Sequence, residues 1–332
     1  MSSFTKRIAG VGSPIVDLLS HVSDAFIREY AGLKGGMELV DQATMEQLLS
    51  RLDEFPKPAA GGSAANTIFA LARLGLSCGF VGKLGDDAPG KEYLNHFETY
   101  GGQTAGFKYC RQEATARCLS LVTPDYERTM RTCLGAAANL QPADIQVKDF
   151  EGFALVHIEG YLLFNRELIE TVLKRAAEAG CQISLDLGSF EIVEALREPI
   201  AELLNHYVDI VFANEEEAFA FAQVKDRKQA LQALHRHCPV AVVKLGAEGA
   251  LIQSLESTVP VAAVPVETMV DTTGAGDFWA AGFLYGYLHD KPLSFCGQLG
   301  SILGAAVVQQ LGADLPEEHW SSVTKQFENT LL

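Results

Sequence analysis

Asp271-Thr272-Thr273-Gly274-Ala275-Gly276-Asp277 is the stretch on which the reading of this chain turns. A glycine-rich turn ends in an acid and runs straight into a long apolar segment, 278–288, that reads as a helix. Such a turn aims backbone N–H groups into one small space, and the helix behind it adds the positive end of its dipole. That is a seat for an anion with a carboxylate beside it. The arrangement is electrostatically awkward unless the carboxylate is a base that deprotonates a hydroxyl while a phosphoryl group sits on the amides. A lone Gly-Ala-Gly-Asp is more often a plain helix start, since Asp suits a first turn. Here the turn follows an extended stretch, 259–270, and precedes a helix carrying Ala280, Ala281, Gly282 and Gly286, which permit close backbone packing. That context is a strand–turn–helix anion site.

Working outward, the same strand–helix alternation fills the chain. Short, nearly continuous apolar runs at 8–12, 78–81, 154–158, 183–187, 210–213 and 240–245 read as buried parallel strands. Helical stretches are expected at 64–74, 91–100, 166–179, 191–204, 215–223 and 228–237. The alternation predicts an α/β fold, a doubly wound sandwich with ligands at the carboxyl ends of the strands. Two segments break the rhythm, about 15–55 and 104–134. In the second, 114–123 and 128–134 flank the turn Pro124-Asp125-Tyr126-Glu127. These strands lack crossover helices and predict a small antiparallel β-sheet lid, able to exclude water during transfer of a reactive group. The expectation is one domain over 1–332 with this lid inserted in it. The lid's open strand edges are suited to a lid-to-lid homodimer, and the sequence leaves the oligomeric state open.

Bulk properties narrow the function classes. The chain has 332 residues, 48% hydrophobic, with 42 acidic against 26 basic residues and a formal net charge of −16. So negative a surface argues against nucleic acid or an anionic membrane as the main partner. A neutral polyol or nucleoside avoids repulsion by that background. No segment reaches the roughly 20 apolar residues that span a bilayer. The N-terminus, Met1-Ser2-Ser3-Phe4-Thr5-Lys6-Arg7, shows no signal-peptide core. Seven scattered cysteines without a Cys-x-x-Cys pair read as reduced thiols, so a cytoplasmic location is expected.

Further motifs fall at the predicted strand ends. Gly61-Gly62-Ser63-Ala64-Ala65-Asn66 opens a helix, with Asn66 in the first turn, able to donate to and accept from hydroxyls. Gly12-Ser13-Pro14-Ile15-Val16-Asp17 follows the first strand, and Asp17 could grip two sugar hydroxyls or merely cap a turn. A dinucleotide fingerprint from Gly10-Val11-Gly12 fails because its third glycine falls on Ile15. Gly85-Asp86-Asp87-Ala88-Pro89-Gly90-Lys91-Glu92 fails as a P-loop because Glu92 supplies no hydroxyl for Mg²⁺. Asn214-Glu215-Glu216-Glu217 is either a solvated helix start or a group that holds Mg²⁺ through water. Lys244, Gly246 and Gly249 follow the next strand, with backbone access at the glycines and a charge to offset a nucleotide.

Together these motifs, from Gly12 to Gly312, resemble the ribokinase-like, or PfkB, family of carbohydrate and nucleoside kinases. Segment 271–277 is the specific part. The resemblance implies a three-layer α/β/α sandwich with a mostly parallel central sheet and a β lid. It implies transfer of the ATP γ-phosphoryl to a primary hydroxyl, with Mg²⁺ and optionally a monovalent cation such as K⁺. Asp277 matches the family's base, and Gly274, Ala275 and Gly276 its anion hole. Asp17, Gly61, Gly62 and Asn66 match acceptor-binding positions, with Ser13 beside them. Asn214 and Glu217 match the Asn-x-x-Glu motif associated with Mg²⁺ and phosphate, and Lys244, Gly246 and Gly249 the nucleotide site. Within the family, Gly61–Thr67, Gly36–Asp41 and Glu127–Met130 are most similar to the adenosine-kinase-like branch. Where that branch often has Asn, this chain has Ser13. Kinases of free sugars such as ribose, fructose or 2-keto-3-deoxygluconate are the alternative. A non-catalytic sensor on the same fold has no need of Asp277, and a dehydrogenase would need the missing glycine. A near-normal pKa is expected for Asp277, leaving it ionised at pH 7.

Overall fold

The computed structural model describes residues 6–331, so the N-terminal reading of Met1–Thr5 lies outside the described residues. An eight-stranded sheet forms the centre. Its strands, from one edge to the other, are Thr258–Val261, Ala250–Gln253, Val240–Lys244, Ile210–Asn214, Gln182–Asp186, Leu155–Glu159, Ile8–Val11 and Cys78–Val81. The six from Val240–Lys244 to Cys78–Val81 run parallel, and the first two are antiparallel. The parallel strands are the apolar runs read from sequence. Their faces are buried on both sides, which is why they do not alternate.

Helices cover both faces. Ser63–Arg73, Ala275–Leu288 and Leu293–Val307 pack on one, with Ile8, Phe80, Phe212, Phe283 and Leu299 in a common core. Arg166–Glu178, Phe190–Tyr207, Glu215–Ala222 and Arg227–His235 pack on the other, around Val156, Ile158, Val172 and Leu185. Local signals set the helix starts. Side-chain oxygens of Asn165, Ser189, Asn214 and Asp226 each accept from an amide in the first turn. The helix expected from Lys91 begins earlier, at Ala88, because Asp87 caps it by accepting from Gly90 N.

The lid is a five-stranded sheet in the order Met37–Leu39, Arg128–Cys133, Ala116–Val122, Ile15–His21 and Pro58–Gly61. It takes in Pro58–Gly61, beyond the expected end near residue 55. It is mixed, not antiparallel as expected. The hairpin Ala116–Val122 to Arg128–Cys133 is antiparallel, but Ile15–His21 pairs parallel with Ala116–Val122, and Met37–Leu39 parallel with Arg128–Cys133. Non-consecutive strands need no tight turn between them, so chain direction at entry sets the pairing. One lid face packs Val16, Leu18, Leu119 and Leu121 against Met45 and Leu48 of helix Gln42–Leu49.

The stretch 259–270 was expected to be extended throughout. Only Thr258–Val261 is strand, and the chain then loops away irregularly to Gly274. Pairing ends because the neighbouring strand Ala250–Gln253 has only four residues to offer. Ala250–Gln253 and the short parallel pair Lys83–Gly85 with Lys108–Cys110 were not read from sequence. Among the described residues no helix is long and apolar enough to cross a membrane, and all seven cysteines are free.

Candidate active site

Five parallel strands end on one rim of the sheet and deliver polar groups there: Ser13 after Ile8–Val11, then Glu159, Asp186, Asn214 and Lys244 as last residues of their strands. Helix Ala275–Leu288 enters the same space by its N-terminus. Gly274 makes that entry possible. Its φ of +74° is left-handed, and an added Cβ would lie 2.8 Å from Ala313 Cβ.

Asp277, in the first helical turn, is half-buried. Its Oδ1 accepts from Ser63 Oγ at 2.8 Å and its Oδ2 from Asn66 Nδ2 at 2.9 Å, so two helix N-termini are laced together through one carboxylate. Burial raises its pKa to about 6 and the nearby Asp186 charge adds to this, while the Asn66 and Ser63 bonds and Lys244 oppose it. The expected near-normal value is thus corrected upward, though the group stays mostly ionised at pH 7.

The anion turn also differs in one amide. Ala275 N donates to Thr272 O at 3.1 Å. The amides of Gly274, Gly276 and Asp277 have no acceptor among the described residues. A helix leaves its first N–H groups without partners, and these are the ones open to an anion. Ala275 therefore shapes the turn and does not offer its own N–H.

Lys244 stands against this turn; a Cβ on Gly276 would lie 2.9 Å from its Nζ. Nζ donates to Asp186 Oδ2 at 2.7 Å. Burial lowers the Lys244 pKa, but the carboxylates of Asp186, Glu217 and Asp277 outweigh it and the net shift is upward. Asn214 and Glu217 form a reciprocal cap: Asn214 N and Nδ2 donate to the Glu217 carboxylate at 2.8 and 2.7 Å, and Glu217 N donates to Asn214 Oδ1 at 2.8 Å. Burial, then the Asp186 charge, pushes the Glu217 pKa up.

Two clefts meet here. One, of about 340 Å³, is lined by Ser63, Tyr161, Asp186, Glu217, Lys244 and Asp277. The other, of about 540 Å³, is largely apolar, walled by Val264, Val266, Met269, Trp279, Ala305 and Val308. Lys244, Gly246 and Gly276 line both, and Gly249 lines the second. Gly249 has φ +92° and its Cβ would strike Val261 O at 2.0 Å, which fixes glycine there.

On the lid side, Asp17 packs its carboxylate against Gly61, whose Cβ would lie 2.1 Å from Oδ2. That carboxylate accepts no hydrogen bond among the described residues, in contrast to Asp277 and Glu159. Burial raises its pKa to about 7, with Arg128 opposing and Asp277 adding to the rise. Gly62, at φ +105°, brings Ser13 O so close that a Cβ would sit 2.1 Å away.

Three residues of the site were not read from sequence. Glu159 is buried and accepts from Ser13 N at 2.8 Å and Ala64 N at 3.3 Å; burial lifts its pKa to about 7. Asp186 pairs with Lys244. Arg128 reaches from the lid to Asp271 and Thr273. Glu159 and Asp186 each close an apolar run that ends at the shared rim, which is the one signal that could have found them.

The residues fit a nucleoside triphosphate: an apolar cleft opens onto free helix-terminal amides and a lysine. No group of three His, Cys, Asp or Glu able to ligate a metal occurs among the described residues. Asp186 and Glu217 fit Mg²⁺ only through water and phosphate oxygens, its usual habit.

Comparison with known proteins agrees with this geometry. The profile of the pfkB family carbohydrate kinases matches residues 48–320. An uncharacterized sugar kinase of Archaeoglobus fulgidus is 30% identical over 244 residues, covering 73% of this chain and 96% of the relative. The adenosine kinase of Saccharomyces cerevisiae is 27% identical over 95% of this chain and 98% of its own length. The crystal structure of adenosine kinase from Sinorhizobium meliloti superposes with a TM-score of 0.85 at 33% identity, covering 97% of this chain and 99% of that one. A central sheet whose rim meets a helix N-terminus with free amides, a β lid and these matches place the chain in the pfkB family of carbohydrate and nucleoside kinases, on its adenosine-kinase-like side, as a phosphotransferase acting on an alcohol group.

Proposed function

We propose that this kinase transfers the γ-phosphoryl of ATP to the primary hydroxyl of an adenosine-like ribonucleoside, with Asp277 as base. The observation that carries the acceptor is the lid's under-face. Asp17, Cys118, Thr132 and Leu39 stand opposite one another across four strands, and Leu19, Ser120, Met130 and Met37 form the next such row. Residues paired this way share a face. A carboxylate without a hydrogen-bond partner thus lies at one end of a surface that becomes apolar toward Met37 and Leu39, which are 49% and 58% exposed. A ribose diol suits the first and a flat base the second. A free sugar would leave the apolar end wet.

ATP lies with its base in the apolar cleft and its phosphates on Lys244 and the amides of Gly274, Gly276 and Asp277. Asp186 and Glu217 would hold Mg²⁺ through water, and the ion would there offset phosphate charge. Ribose hydroxyls sit on Asp17 and Asn66. The attacking hydroxyl gives its proton to the Asp277 carboxylate, its oxygen bonds to γ-phosphorus, and ADP leaves with the electrons of the broken P–O bond. Ser63 and Asn66 aim the carboxylate.

The test is phosphorylation with ATP–Mg²⁺ of adenosine, inosine, guanosine, cytidine, ribose, fructose and 2-keto-3-deoxygluconate. Adenosine, or another purine nucleoside, should show the highest kcat/KM. A free sugar preferred over every nucleoside would overturn the acceptor reading and leave the phosphotransferase intact.

A further inference from the structure

The apolar cleft beside Lys244 carries, in its floor, two polar atoms for which the fold supplies no partner. Ser301, in helix Leu293–Val307, and Trp279, in helix Ala275–Leu288, both line it and are only 5% and 7% exposed. Ser301 Oγ and Trp279 Nε1 are buried and make no hydrogen bond among the described residues. A serine inside a helix can return its hydroxyl to a carbonyl one turn earlier, and Ser301 does not. The other polar side chains of the lining differ: Lys244 is paired with Asp186, and Thr272 is exposed. The indole is held in place, stacked on Phe283 with ring centres 5.7 Å apart and edge-on to Phe212 at 6.3 Å. Its nitrogen edge lies along helix Leu293–Val307. A Cβ on Gly300 would lie 2.8 Å from Cε2, and one on Gly304 3.4 Å from Cδ1, the two carbons that flank Nε1. The two glycines bring no side chain over Nε1, beside the turn that carries Ser301, and Gly304 is itself part of the cleft wall.

We propose that Trp279 and Ser301 read the base of the phosphoryl donor through hydrogen bonds, so that atoms of the base, and not cleft shape alone, set donor choice. This rests on the reading in which the donor lays its base in this cleft, and it adds what selects that base. The walls at Val264, Val266, Met269 and Val308 can rank bases only by size and stacking. A buried polar atom left without a partner is costly, so a ligand that supplies the partner is favoured. An indole N–H can only donate, and it demands a ring nitrogen or carbonyl oxygen in the plane of the base. A hydroxyl donates or accepts, so Ser301 takes a second polar atom of the base, an amino group or another ring nitrogen. An analogue that lacks one of these atoms leaves a buried group unmatched, and sites built to hydrogen-bond a ligand reject such analogues strongly.

The experiment measures binding, so it needs neither acceptor nor turnover. ADP–Mg²⁺ is titrated calorimetrically into wild type, W279F and S301A, followed by its 1-deaza, 3-deaza and 7-deaza analogues and the analogue without the 6-amino group. Wild type should bind one deaza analogue, and a second analogue from the remaining three, about 5- to 100-fold more weakly than ADP. In W279F the penalty for the first should shrink to less than about twofold, because the N–H that met the missing nitrogen is gone; in S301A the penalty for the second should shrink likewise. A merely structural role would weaken ADP and all four analogues alike and leave their ratios unchanged. If W279F does not fold, S301A alone carries the test by the same ratio. Wild type that binds ADP and all four analogues within about twofold of one another overturns the proposal and leaves the donor site intact, as do penalties that persist in both variants. Wild type that does not bind ADP overturns the donor reading together with the proposal.

Discussion

Asp277 shows how one side chain gathers its chemistry from three parts of the chain. Ser63 and Asn66 arrive from residues some two hundred positions earlier, and Lys244 and Asp186 set the field around it. D277N keeps the shape and removes the proposed base, so kcat should fall by about 10²–10⁴ with ATP affinity retained, measured by steady-state kinetics beside a nucleotide-binding titration. The pH profile follows from the direction of the shifts. Asp277, at about 6, and Asp17, at about 7, are proposed to act as carboxylates, so kcat/KM should decline as pH falls from 8 through 6. A rate constant independent of pH between 5 and 8 would remove both groups from the mechanism. Asp277 and Asn66 were legible because glycine-rich helix starts announce them. Glu159, Asp186 and Arg128 were not, because a strand-end acid and a lid arginine look like ordinary surface charges until the sheet order is known.

At the scale of elements, the small residues of helix Ala275–Leu288 are structural necessities. A Cβ on Gly282 would lie 2.3 Å from Leu299 O, and one on Gly286 would lie 3.0 Å from Cys296 Cα, both in helix Leu293–Val307. The two helices thus approach backbone to backbone, which fixes where the N-terminal end of the first one points. G282A should cost about 1–3 kcal/mol through overpacking. The checks are a thermal melt, with a loss of about 2–4 °C per kcal/mol, and kcat, which should fall although residue 282 touches no ligand. An unchanged kcat in a clearly destabilised variant would show that helix position and catalysis are separable. The pattern of small residues was readable in sequence. The partner helix was not, because a pattern states which face is smooth and leaves its neighbour unspecified.

The whole molecule carries a formal charge of −16 and concentrates raised carboxyls at one rim. Burial lifts Asp17 and Glu159 to about 7 and Asp277 to about 6, with Glu217 raised as well. Each folded-state pKa lies above its unfolded value, so the folded protein takes up protons first on acidification. The stability these groups contribute is lost as pH rises through 6–7 and regained as it falls. The ligand-free protein should therefore melt higher at pH 5.5 than at pH 8, and added salt should raise the pH 8 value by screening self-repulsion. Below the ordinary carboxylate range the trend reverses, because Asp87, Asp144 and Asp271 are held low by their hydrogen bonds and cations. Differential scanning calorimetry across pH 4–8 checks the sign; a melting temperature that rises steadily with pH would show that these carboxyls are not buried as drawn.

Sequence by itself determined the parallel sheet, the helix starts and the anion-binding turn, because each rests on local physics: continuous apolar runs, side-chain caps and the backbone freedom of glycine. It also carried the reaction class, since a carboxylate inside an anion seat has few other uses. Only the tertiary structure decided that 262–270 is a loop, that the lid sheet is mixed, and that Ala275 turns its N–H toward Thr272. It alone brought Glu159, Asp186 and Arg128 to the rim. Those outcomes depend on which strands lie side by side and how closely two helices approach, and such distances are set by the packing of residues far apart in the chain. The turn at 271–277 suggests a base and an anion seat in sequence, and both are proposals; the fold supplied the lysine, the lid arginine and the covered face beside them.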